Sequence, residues 1–398
     1  MAGQLKVNGV TLATEESGTV TLEAPQIKDS SNNVILDQSG TNPVLKNVEV
    51  VNNSSMMFRN RIINGDMRID QRNAGTSFTM TSSSSYILDR WSFWANGGGG
   101  SAAYTVQQSS EAPVGFTKSF VITQTAAYSP TGSEYNIFAQ YIEGYNVADL
   151  GWGTSAAKAV TLSFWVRSSL TGTFGGAVSN ASQLRSYPFT YTISSANTWE
   201  YKTITVPGDT TGTWFGNNNM GLEVYWQLGI GSTYLGTAGA WAEATYLGST
   251  SATQITATNG ATFYITGVQL EEGTVPTPFE HRPYGTELAL CQRYYEWGVA
   301  SGSGYGSITP IFDAGSTSNI DFKVTKRIVP SMNNLSLAGN IYPNNQGNAV
   351  PRYEGGYSRS FRYTTENNTT FWNVVTGNGG SAGPVGHQII WTATAEFI

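Results

Sequence analysis

Trp214 closes a turn-rich segment, Pro207-Gly208-Asp209-Thr210-Thr211-Gly212-Thr213-Trp214, and three amides follow at Asn217, Asn218 and Asn219. Tyr187 and Trp241 lie in or beside similar segments, where a large ring is harder to bury. Flat apolar faces stack on the C–H side of pyranose rings, and nearby amides or carboxylates pair the sugar hydroxyls. The Trp214 loop is therefore a candidate edge of a glycan groove, with Asn217 and Asn218 beside it. Arg185 and Asn180, from a neighbouring loop, are candidate polar partners. The competing use of these rings is to seal a sandwich edge or a subunit contact, which is the commoner role of large aromatics. Trp91, Trp94, Trp165 and Trp226 sit inside alternating strands and are expected in the core.

Covalent chemistry finds less to work with. Polysaccharide hydrolysis needs two carboxyl groups facing each other across a cleft. Glu271 and Glu272 are adjacent, so on a strand they point to opposite faces. Glu143, Asp149, Glu223 and Glu243 are scattered without a readable pairing. A Gly-x-Ser-x-Gly match at Gly379-Gly380-Ser381-Ala382-Gly383 precedes His387, but Pro384 and Gly386 follow where a nucleophile elbow requires a helix. With only His281, His387 and Cys291 as soft ligands, no zinc constellation is available. A non-enzymatic chain with no cofactor is expected. Asn64, Asp66 and Asp70 could supply oxygens to a structural calcium. Equally, Asp66 and Asp89 could pair with Arg68, Arg72 or Arg90 in a buried network.

The elements that must carry these residues are strands. In 398 residues only 12 % are charged, while glycine alone contributes 45, so the surface is expected to be made largely of small hydroxyl and amide groups. The net charge of −6 gives no attraction to phosphate backbones, which disfavours a nucleic-acid partner. The lone cysteine cannot form an intrachain disulfide, so stability must come from core, sheet and oligomerisation. Neither a secretory signal nor a membrane-spanning apolar run is expected.

Residues 1–58 alternate in short bursts such as Thr19-Val20-Thr21-Leu22-Glu23, too sparse in large apolar groups for a core. They are expected to form an anchoring shaft that intertwines between copies. Residues 59–284 carry dense aromatic strands bounded by turn clusters, which suggests a jelly-roll sandwich. A connecting helix is expected over 285–297, with Leu288, Cys291, Gln292 and Tyr295 at helical spacing behind Pro283. Residues 298–398 return to strands and Gly/Asn loops, a distal β-sandwich-like knob ending in a strong strand over 389–398.

Three blocks carry a family resemblance. The first is Ile62-Ile63-Asn64-Gly65-Asp66-Met67-Arg68-Ile69-Asp70-Gln71-Arg72 with Tyr86-Ile87-Leu88-Asp89-Arg90-Trp91. The second, Thr198-Trp199-Glu200-Tyr201-Lys202 through Trp214, looks like the middle of a jelly-roll carbohydrate-binding module. The third runs from Thr266-Gly267-Val268-Gln269-Leu270-Glu271-Glu272-Gly273 to Thr277-Pro278-Phe279-Glu280-His281-Arg282-Pro283, and on to Leu290-Cys291-Gln292-Arg293-Tyr294-Tyr295. Together they resemble the tail fibre proteins of tailed phages, particularly those of marine bacteria and cyanobacteria. The resemblance, which covers about residues 60–297, implies a homotrimeric, receptor-binding fibre that recognises surface polysaccharide. By position alone, residues 1–58 are expected to dock on phage tail or baseplate proteins, and a chain that looks extracellular yet lacks a signal is expected in the virion, extracellular after host lysis. A structural spacer or capsid decoration is the first rival reading. A polysaccharide depolymerase tailspike is the second, although the regular short coils of a parallel β-helix are missing from the sequence.

Overall fold

The computed structural model describes residues 58–80, 85–96, 103–302, 318–328 and 387–397, together with short strands within 3–45 and 330–372. Two compact units divide the chain, Met1–Met57 and Phe58–Ile398. In the first, Gly3–Val7, Val10–Glu16 and Thr19–Leu22 form one three-stranded sheet, and Gln26–Lys28, Val34–Asp37 and Val44–Leu45 form another.

The second unit is built on an all-β sandwich of twelve strands. They are β1 (Phe78–Met80), β2 (Ser85–Leu88), β3 (Trp91–Asn96), β4 (Ala103–Ser109), β5 (Ser119–Ala126) and β6 (Tyr135–Glu143). The remainder are β7 (Val160–Ser168), β8 (Gly172–Ser179), β9 (Ser186–Ile193), β10 (Glu200–Val206), β11 (Met220–Ile230) and β12 (Thr262–Glu272). The first sheet has the order β10-β7-β12-β5-β4-β1 and the second β9-β8-β11-β6-β3-β2, with every pairing antiparallel. Period-2 alternation explains the layering, because one side-chain set of each strand meets the facing sheet. Along β11, Leu222, Val224, Trp226 and Leu228 enter the main core.

Aromatic rings bridge the layers. Phe138 of β6 stacks on Trp91 of β3 at 4.7 Å and on Phe120 of β5, across the sandwich, also at 4.7 Å. Trp226 tilts against Trp91 at 5.7 Å. Trp91 and Trp226 are fully buried, as their strands imply, but Trp94 and Trp165 are not core residues. Both are only half-buried, since their strand positions face outward from the sandwich, with Trp165 against Tyr201.

The segment before β1 closes one end of the sandwich. Arg61 N donates to Leu270 O at 2.8 Å, and the Asn64 side chain donates to Ile69 O and Asp89 O. Trp91 Nε1 donates to Asn64 O at 2.8 Å. Arg282, 5 % exposed, pairs with Glu287 and donates to Ile62 O.

The helix expected over 285–297 is shorter, α1 (Tyr284–Gln292), and β13 (Tyr295–Gly302) follows. Two contacts end it. Tyr294 is drawn inward, its hydroxyl donating to Glu143 Oε2 at 2.7 Å, and β13 pairs antiparallel with His387–Thr394. Ser331–Ala338 completes that three-stranded sheet, so the terminal strand expected over 389–398 ends at Thr394. Ala395, Glu396 and Phe397 are buried in the same unit as the sandwich. The Gly-x-Ser-x-Gly match at residues 379–383 lies outside the described residues.

Candidate functional site

The outward face of the second sheet carries a cavity of about 250 Å³. Alternation delivers its floor. Trp94 comes from β3, Tyr135, Ile137 and Tyr141 from β6, and Glu223 from β11. The walls are supplied from far along the chain: Gln183 from the β8–β9 loop, Tyr234 and Thr245 from the excursion between β11 and β12, and Phe397 from the end of the unit. Rings meet edge to face, Trp94 with Tyr141 at 5.9 Å and Tyr135 with Tyr234 at 5.8 Å. Trp94 Nε1 is satisfied by Ser92 Oγ at 3.1 Å, which leaves the indole as an apolar wall.

Glu223 is the polar centre of this floor, with none of its surface exposed. Its Oε2 accepts from Ser179 Oγ at 3.0 Å and from Gln183 Nε2 at 3.2 Å. Gln183 Nε2 also donates to Tyr225 Oη at 3.0 Å. Oε1 has no hydrogen-bond partner. Burial pushes the Glu223 carboxyl up to about 8, and the hydrogen bonds from Ser179 and Gln183 offset only part of that rise. The group is therefore mainly a neutral acid at pH 7. No lysine or arginine is found among the described lining residues.

The aromatics singled out in the sequence do converge, at another place on the sandwich. Trp214 packs edge to face on Trp152 at 4.7 Å and on Trp241 at 5.6 Å, and Tyr187 lies 5.4 Å from Trp241. Each indole N–H is taken: Trp214 by Asp209 Oδ2, Trp241 by Pro207 O and Trp152 by Lys158 O. Arg185 grips Asp209 with Nε at 2.9 Å and Nη2 at 2.5 Å. Tyr187 and Asn180 are buried, and the Asn180 amide donates to Thr213 O. Asn218 is held by Arg327, while Asn217 is exposed with Oδ1 accepting from Asn219 N. Arg185 and Asn180 thus serve the fold directly, and Trp214 and Trp241 keep only partly exposed edges.

The residues named for a structural calcium are also engaged elsewhere. Asp70 caps Asn73 N and Gly75 N, Asp66 pairs with Arg68, and the Asn64 oxygen accepts from Ile69 N. Among the described residues no group of three or more His, Cys, Asp or Glu side chains is placed to hold a metal ion. Of the carboxylate–arginine alternative only the Asp66–Arg68 pair is found: Asp89 instead accepts from the Gln71 backbone and side-chain N–H groups, and Arg72 and Arg90 both hold Glu396.

Sequence reasoning passed over Glu223 as one scattered acid and placed Trp94 in the core. A signal was present, because Glu223, Tyr225 and Gln227 alternate with Leu222, Val224, Trp226 and Leu228. One face of that strand is wholly apolar and the other carries hydrogen-bonding groups.

No family profile matches the chain, and no curated protein matches it. Among solved structures it is similar to the enzymatically active domain of tailspike protein 4 of bacteriophage CBA120, at 13% identity and a TM-score of 0.28, covering 54% of this chain and 22% of that one. It is similar to a family 11 carbohydrate-binding module of Clostridium thermocellum, at 12% identity and a TM-score of 0.25, covering 52% of this chain and 99% of that one. A third is the N-terminal cellulose-binding domain of a Cellulomonas fimi β-1,4-glucanase, at 9% identity and a TM-score of 0.22, covering 44% of this chain and 90% of that one. Likenesses this distant decide neither fold nor ligand. The fold itself defines the class of the second unit, an all-β two-sheet sandwich with an aromatic-walled pocket on one outer face.

Proposed function

We propose that this chain is a non-catalytic attachment protein that holds surface polysaccharide through the pocket on its second sheet. The observation that carries the reading is the pocket's composition: aromatic walls from Trp94, Tyr135 and Tyr234 around hydrogen-bonding groups from Glu223, Gln183 and Thr245. Sugars ask for that combination, since each ring has apolar C–H faces and a hydroxyl rim. The single carboxyl group among the described lining residues supports binding over hydrolysis, which takes two. No helix among the described residues is long and apolar enough to cross a membrane.

The resemblance of residues 60–297 to phage tail fibres sets the biological context of the proposal. In it, a homotrimeric virion fibre docks through residues 1–58 on the phage tail, and weak sites gain strength from repetition. The partly exposed edges of Trp214 and Trp241, with Asn217 beside them, are proposed as a secondary contact for a longer chain.

The test incubates the purified protein with polysaccharide from candidate host cells and follows both retention on the polymer and release of reducing ends. Retention without released ends is the expected result. Release of ends would make the chain a depolymerase, and no retention on any of them would make the sandwich a spacer.

A further inference from the structure

The pocket has a chemical bias that the attachment reading alone does not state. Its volume of about 250 Å³ lies below the ~300–1,000 Å³ of sites for drug-sized ligands, which suits one sugar unit rather than a run of them. The one acidic group among its described lining residues, Glu223, is fully buried and keeps Oε1 unpartnered while Oε2 is held. A buried oxygen without a partner is a costly feature to keep in a fold unless something else completes it.

We propose that Glu223 is the specificity-determining residue of this pocket, pairing through Oε1 with one hydroxyl of a single uncharged sugar unit. The inference rests on the glycan-binding reading and names the ligand class within it.

The groups that face Glu223 agree. Ser179 comes from β8, Gln183 from the loop after it, Tyr225 from β11 itself and Tyr141 from β6. None is cationic. A ligand carboxylate would find no counter-charge there, and an ionised Glu223 would repel it. A neutral acid both donates and accepts, matching the dual character of a hydroxyl. The Tyr141 phenol is driven well above its ordinary value, mainly by burial and also by the nearby Glu223, so it does not titrate in the same range.

Ionisation of Glu223 removes the donor and adds a buried charge. With its carboxyl raised to about 8 by burial, retention should hold at pH 6.5 and decline by about tenfold or more by pH 9.5.

The experiment applies the full-length protein to a printed array of neutral and uronate- or sialate-bearing microbial glycans at both pH values, alongside Glu223→Gln. The expected result is wild-type retention on neutral spots that weakens at high pH, and a reduced, pH-independent retention for Glu223→Gln. Equal wild-type retention at the two pH values, a Glu223→Gln profile that still follows pH, or preference for acidic spots would each overturn this inference and leave the attachment reading standing. Empty spots throughout, for folded protein verified by circular dichroism, would overturn both.

Discussion

Arg90 and Glu396 form an ion pair in which each side chain is only 1 % exposed, joining the β2–β3 turn to a segment 306 residues later. Arg72 holds the other Glu396 oxygen at 2.9 Å, and the Arg90 guanidinium lies 3.6 Å from the Tyr294 ring centre. Removing one partner of such a pair leaves a buried charge without compensation. Glu396→Ala should therefore lower unfolding stability by about 3–5 kcal/mol, read from the urea midpoint at constant slope. A loss near zero would mean that these terminal residues add nothing to the sandwich.

Gly65 sits inside the first resemblance block, with its carbonyl accepting from Val268 N at 2.9 Å. A Cβ there would collide with the Val268 carbonyl, which is backbone and cannot swing aside. Gly65→Ala should destabilise the unit by about 1–3 kcal/mol or more. Thermal unfolding followed by circular dichroism checks it.

Two buried carboxyl groups should push stability in opposite directions with pH. Burial raises Asp209, but hydrogen bonds from Arg185, Thr211 and Trp214 outweigh it and hold the carboxyl below its ordinary value. Its contribution is present above the ordinary carboxylate range and is lost as pH falls through the folded value. Glu223 is the reverse, lifted to about 8 by burial. Between its ordinary value and 8 the folded state holds a proton that the unfolded state has released, so stability falls as pH rises through that window. Asp89, raised to about 6 mainly by burial, adds to the same slope at lower pH. Glu223→Gln should flatten the decline between about pH 5 and pH 9 by on the order of 3–5 kcal/mol. Denaturant titrations at intervals across that range measure it.

Trp94 and Trp226 should separate binding from folding. Trp94→Ala removes a half-buried pocket wall and should cut polysaccharide retention at least about tenfold with a modest change in stability. Trp226→Ala empties a fully buried core site and should cost about 3–5 kcal/mol. Retention assays on the two folded variants, paired with their unfolding curves, decide whether the outward face is the binding face.

Much of the architecture could be read from residue patterns. The alternation in Trp91-Ser92-Phe93-Trp94 and in Leu222 to Leu228 announces strands. The turn cluster Pro207-Gly208-Asp209 marks the end of β10. The end cluster of Trp214, Trp241 and Tyr187 was legible as a group, but not its closure by Trp152 and Asp209, which depends on contacts between distant loops. Helical spacing over 285–297 also overran, because periodicity does not register the strand pairing of Tyr295 with Thr394.

By itself the sequence determined that the chain is β-rich, laden with aromatics and low in charge. Only the tertiary structure decided which face of each strand is the interior, and so which aromatics are left to line a surface. Period-2 alternation separates two faces without ranking them when both carry large rings, as Phe93 and Trp94 do. The ranking came from the facing sheet, which buries Phe93, and from Gln183, Tyr234, Thr245 and Phe397, which wall a pocket over the opposite face. Glu223 became distinctive only there, because the physical chemistry of a carboxyl group is set by what surrounds it.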